Sequence, residues 1–114
     1  MVIKMKIQTV DIVGLGALGV MYADFFTKKL GKERVRVLAD KGRIERYRAE
    51  TVTFNGKACD FNYLDAAKES RPAELILFAV KYSALEQAME EAAHLVVEKT
   101  ILLSALNGIR SEAD

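Results

Sequence analysis

Three glycines at fixed spacing are the residues of this sequence best suited to holding a phosphate. They lie in Val10-Asp11-Ile12-Val13-Gly14-Leu15-Gly16-Ala17-Leu18-Gly19, where an apolar run meets a helical pattern. In a G-x-G-x-x-G arrangement each glycine has its own task. Gly14 permits a tight turn off the strand, where a Cβ would restrict φ. Gly16 leaves room for a pyrophosphate against the main chain, and Gly19 lets the new helix pack on the strand it has left. The start of that helix offers free N–H groups and a partial positive charge. The expected cofactor contacts are therefore Gly14, Leu15, Gly16, Ala17, Leu18 and Gly19.

Four further residues fall where the same ligand would reach. Asp40 ends an apolar segment about twenty residues beyond the glycines, where an acceptor for a ribose 2′-OH belongs. Arg43, with Lys41 beside it, would instead hold a 2′-phosphate through charge-assisted hydrogen bonds. This local charge leaves NAD and NADP both open. Asp40 also suits the N-cap of a short helix over residues 43–49, and the two roles are compatible. Lys81 and Asn107 each follow an apolar strand-like run. Ligands of an open parallel sheet bind beyond the carboxyl ends of its strands. There Lys81 supplies a cation, and Asn107 a donor and an acceptor for a ribose hydroxyl, a carboxamide or a substrate carbonyl.

The sequence shows no Ser/His/Asp set, no paired carboxylates and no metal-ligand cluster. No catalytic residue and no metal site is predicted, and a proton donor for reduction is not among these residues.

The elements that must position these groups alternate in type. Residues 7–13 read as a buried strand and residues 17–30 as a helix, with Leu18, Met21, Tyr22, Phe25, Phe26 and Leu30 at three- and four-residue spacings. Gly31 follows as its C-cap. Residues 35–39 form a second strand, completing a βαβ unit. Residues 51–61 read as a hairpin turning at Asn55-Gly56, standing in place of a crossover helix, with Cys59 in its second strand as a packed thiol. Residues 75–80 read as a further buried strand and residues 100–104 as the next strand. Between them the Ser83 to Glu86 spacing predicts a capping box, opening a helix with Leu85, Met89, Ala92 and Val96 as its apolar stripe. His94 falls off that stripe and reads as a solvated residue. The expected architecture is α/β and Rossmann-like: a mostly parallel sheet with helices on both faces and a β-hairpin insertion.

The chain has 114 residues, enough for one domain with a real core. Its composition, 51% hydrophobic and 29% charged, is that of a soluble globular domain. A net charge of +1 with both signs interspersed argues against nucleic acid or a membrane surface as partner. One cysteine provides no disulfide framework, which points to a cytoplasmic location. No apolar run is long enough to span a bilayer, and the N-terminus carries no signal-peptide pattern.

Taken together, Gly14-Leu15-Gly16-Ala17-Leu18-Gly19, Leu38-Ala39-Asp40 with Arg43 and Arg46-Tyr47, Phe54-Asn55-Gly56, Phe78-Ala79-Val80-Lys81 and Leu106-Asn107-Gly108-Ile109 resemble the N-terminal domain of the ketopantoate reductases (2-dehydropantoate 2-reductases). The resemblance covers nearly the whole chain. It implies that residues 1–114 are an NAD(P)-binding Rossmann domain, with NADPH as cofactor in preference to NAD. It implies reduction of a small 2-oxo acid, 2-dehydropantoate, to (R)-pantoate on the route to pantothenate and coenzyme A. Lys81 and Asn107 would touch both cofactor and substrate, and a homodimer is admitted. The family's catalytic lysine and substrate-binding acid belong to a C-terminal helical domain with no counterpart in these residues, so the chain alone is expected to be inactive. Members using NADPH often carry arginine where this sequence has Asp40. The alternative from a different class is a non-catalytic nucleotide-sensing or regulatory module.

Overall fold

The structure, a computed structural model, describes residues 7–105. Five parallel strands form the main sheet: β1 (Val10–Val13), β2 (Val35–Ala39), β5 (Asn62–Asp65), β6 (Leu75–Phe78) and β7 (Ile101–Ser104). Their spatial order is β5-β2-β1-β6-β7. The short strands β3 (Thr53–Phe54) and β4 (Lys57–Ala58) make a separate antiparallel pair. Helices α1 (Ala17–Leu30), α2 (Lys41–Glu50) and α3 (Tyr82–Ala92) complete the fold, which is Rossmann-like as expected.

Alternation along the strands builds two cores. Val10 and Ile12 of β1, with Val35, Val37, Leu75 and Leu77, face Val20 and Ala23 of α1. Val13, Leu38, Ile76 and Phe78 face the other way, toward Ala88 and Ala92 of α3. The sheet is therefore covered on both faces, and its central strands are apolar on both sides, as parallel strands must be. Each fully buried Ile or Leu contributes roughly 1.5–3 kcal/mol against exposure.

One pair breaks the apolar pattern. Asp11 and Arg36 are register partners on β1 and β2, and both are buried. Their bidentate ion pair is joined by Glu69, 3.3 Å from Arg36 Nη1, and by the Arg71 carbonyl, which accepts from both Nη1 and Nη2 at 3.2 Å. Burial pushes the Asp11 carboxyl above its ordinary value, against the pull of the guanidinium. Glu69 and Arg71 lie in the connection from β5 to β6, so this pair ties that helix-free crossover to the sheet.

Several expectations need correction. The first strand begins at Val10, because the Gln8 and Thr9 N–H groups donate to Glu74 Oε1 at 2.7 and 3.3 Å and not to a neighbouring strand. The second helix begins at Lys41, two residues early, and runs to Glu50. The hairpin is far shorter than residues 51–61, although Asn55 and Gly56 do form its turn with φ of 54° and 78°. It does not replace a crossover helix: α2 is present, and the hairpin is added after it. Cys59 lies just past β4, partly buried against the α1 core, with burial pushing its thiol up. Strand β5 was not expected at all; it is a half-buried edge strand lacking a continuous apolar run.

The capping box does not form. Lys81 takes the N-cap in an extended conformation and no side chain closes the cap, leaving Ser83 inside the helix. The helix stops at Ala92, and a 3-10 turn over Ala93–Leu95 swings Leu95 into the core and Val96 outward. The buried stripe is therefore Ala88, Ala92 and Leu95, with Leu85 partly buried, while Met89 is 41% exposed. β7, at the sheet's other edge, leaves Leu102 and Leu103 42% and 49% exposed.

Candidate functional site

All five parallel strands end at one edge of the sheet, and the singled-out residues that are described lie along it. The turn after β1 is built on Gly14, whose φ of +100° disfavours any side chain. A Cβ on Gly14 would stand 2.5 Å from the Ala79 carbonyl oxygen and 2.6 Å from Val80 Cγ1. One on Gly19 would drive into the Gly14 carbonyl. These two glycines are required by close packing of the turn, the helix and the segment after β6.

Gly16 differs from both. No protein atom lies within 4 Å of the position its Cβ would take, and its φ of −74° is open to any residue. The N-cap of α1 is Gly16, without a capping side chain. The first intrahelical bond runs from Val20 N to Gly16 O at 3.0 Å, leaving the N–H groups of Ala17, Leu18 and Gly19 without acceptors among the described residues. Open space over a glycine beside unpaired helix N–H groups fits an anionic diphosphate. Leu15 packs its side chain, partly buried, against the core that α1 covers.

Asp40 and Arg43 stand together at the end of β2. Asp40 caps α2, its Oδ1 accepting the Arg43 N–H at 2.8 Å, while Arg43 Nε sits 3.6 Å from Oδ2. Both side chains are more than half exposed. Lys81 is exposed at the start of α3, two residues after Ala79, whose carbonyl abuts the glycine turn. Ala79 N donates to Val13 O at 2.8 Å, holding the two segments side by side. Ala105 N donates to Phe78 O at 2.9 Å, which brings the chain after β7 to the same edge. Asn107 itself lies outside the described residues.

Two features of this region were not legible as such. His94 is exposed, as expected of a surface residue, but its ring is anchored: Nε2 lies 2.8 Å from the Ala66 carbonyl oxygen and 3.2 Å from that of Glu69. It also lines a cavity of about 390 Å³ beside Asp40. Among the described residues no group of three or more His, Cys, Asp or Glu side chains could hold a metal ion, and no helix is long and apolar enough to cross a membrane.

Strand order and the glycine turn define a Rossmann-like α/β domain. The chain belongs to the family described as ketopantoate reductase PanE/ApbA, an oxidoreductase family whose model matches residues 10–114. Among solved structures it resembles D-mandelate dehydrogenase in ternary complex with NADH and anilino(oxo)acetate, at 22% identity and a TM-score of 0.71, covering 91% of this chain and 35% of that one. It also resembles a dimeric ketopantoate reductase from Staphylococcus aureus, at 23% identity and a TM-score of 0.67, covering 88% of this chain and 33% of that one. At these identities the likeness establishes the fold. The chain spans about a third of the length of the structures it matches. No curated protein matches it.

Proposed function

We propose that this chain is the NADPH-binding domain of a reductase acting on a small 2-oxo acid, 2-dehydropantoate being converted to (R)-pantoate. The observation that carries the reading is the open space at Gly16 beside the unpaired N–H groups of α1. Those groups hold the cofactor diphosphate, and the adenosine ribose reaches Asp40 and Arg43. Arg43, with one weak partner, pairs with a 2′-phosphate. The bound nicotinamide supplies the hydride. Lys81 offers its ammonium to substrate oxygens and cofactor, and Asn107 orients a carbonyl or carboxamide through its amide.

In this reading a second, helical domain provides the proton donor and most of the substrate pocket, so residues 1–114 bind cofactor without turnover. Family membership supports the oxidoreductase class, and the NADH held by the mandelate dehydrogenase supports a nicotinamide cofactor. The dimeric staphylococcal relative supports a homodimer. The pantothenate route and a cytoplasmic setting follow from the same family reading. Fluorescence titration of the folded chain tests it: saturable binding of NADPH, tighter than of NADH, is expected. A folded sample that binds neither cofactor overturns the proposal.

A further inference from the structure

We propose that His94 reads the purine base of the dinucleotide, a role that rests on the cofactor reading above. Both partners of Nε2 are carbonyl oxygens, which only accept, so Nε2 carries a hydrogen and donates it. In the neutral ring Nδ1 is then an acceptor, and it has no partner among the described residues. The cavity that His94 lines is completed by Asp40, Asp65, Ala66, Ala67 and Glu91.

No lysine or arginine is in that set. Away from Asp40, which Arg43 accompanies at 3.6 Å, the carboxylates of Asp65 and Glu91 disfavour a phosphate, and together with Nδ1 they present acceptors around two alanine methyls. Such a lining suits a flat, uncharged group bearing N–H donors. Asp40 belongs both to this cavity and to the end of β2, so the cavity continues from the point where the ribose is held. An aminopurine satisfies both conditions, its face on Ala66 and Ala67 and its exocyclic amine donating to Nδ1.

The wall is built to stay in place. Ala66 N donates to Ala39 O at 3.0 Å and Ala67 N to Asp65 Oδ1 at 3.0 Å, while His94 holds the Ala66 and Glu69 carbonyls from the α3 side. His94 therefore fixes the wall with one nitrogen and addresses the base with the other.

Titration of the full chain with NADPH and with its hypoxanthine analogue, which carries a carbonyl in place of the 6-amino group, tests this. The unaltered protein should bind NADPH about tenfold more tightly than the analogue. His94→Leu should bring that ratio close to one. His94→Gln, whose amide both donates and accepts, should restore it. The sequence has a single histidine, so its ring ¹⁵N signals are unambiguous. The Nδ1 resonance should move on adding NADPH and stay on adding the analogue, a reading that needs no variant. Equal weakening of both cofactors by His94→Leu, a ratio near one in the unaltered protein, or an unmoved Nδ1 signal overturns the proposal. Binding of neither cofactor brings down the cofactor reading itself and this inference with it.

Discussion

Arg36 grips Asp11 across the β1–β2 ladder with both carboxylate oxygens engaged, Nε donating to Oδ1 at 2.6 Å and Nη2 to Oδ2 at 2.5 Å. Two charges at 0% and 2% exposure must each be fully paired, since either alone would carry its whole desolvation cost. Asp11→Ala should therefore cost about 3–5 kcal/mol by denaturant unfolding. Replacing both together, Asp11→Leu with Arg36→Met, should cost much less or nothing. A double variant as unstable as the single one would show that the pair itself stabilises the fold.

Glu69 gives the pH dependence. Its carboxyl is held below the ordinary range, first by the Arg71 N–H, and further by Arg36, the Ser70 N–H and Arg71, against a desolvation contribution. A folded-state value below the unfolded one stabilises above the unfolded value, near 4.3, and that gain fades as pH falls through the folded value. Thermal unfolding between pH 6 and pH 3 should show a steeper loss for the native sequence than for Glu69→Gln. Parallel curves would rule Glu69 out.

The three glycines of the turn should separate by readout. Gly14→Ala places a side chain at φ +100° against Ala79, at a conformational cost of about 1–3 kcal/mol before any clash. Gly19→Ala meets the Gly14 carbonyl and should also lower Tm. Gly16→Val enters open space and should keep the circular dichroism spectrum, with stability within about 1 kcal/mol. It should nevertheless abolish NADPH binding. Unchanged affinity in Gly16→Val would remove the phosphate cradle.

Asp40 and Arg43 carry the cofactor preference. Arg43→Ala should weaken NADPH by about 1.5–3 kcal/mol, the worth of a hydrogen bond to a charged group, and leave NADH nearly unchanged. Asp40→Arg should favour NADPH over NADH further, at about 1 kcal/mol of stability for the lost cap. Equal loss of both cofactors in Arg43→Ala would show that this side chain does not read the 2′-phosphate.

Strong periodicity made α1 and β2 legible at their observed limits, and the φ > 0 tolerance of Asn55-Gly56 located the hairpin turn. β5 escaped because an edge strand needs only one partner and can carry Asn62 and Asp65. Asp11 and Arg36 do carry a signal in the sequence: one opposite charge in each of two otherwise apolar strands, at positions a parallel register brings together. The glycine turn was legible because each glycine answers a local steric demand. His94 was not, since its partners Ala66 and Glu69 are backbone carbonyls, far away in sequence and invisible in side-chain chemistry.

β7 has a consequence for handling the domain. Among the described residues its outer rim meets no further strand, and Ile101–Ser104 contains neither lysine nor proline to blunt it. Idle amides beside two exposed leucines make this edge a template for strand addition, so the chain should self-associate as its concentration rises. Leu103→Lys should keep it monodisperse in light scattering at protein concentrations where the native sequence grows.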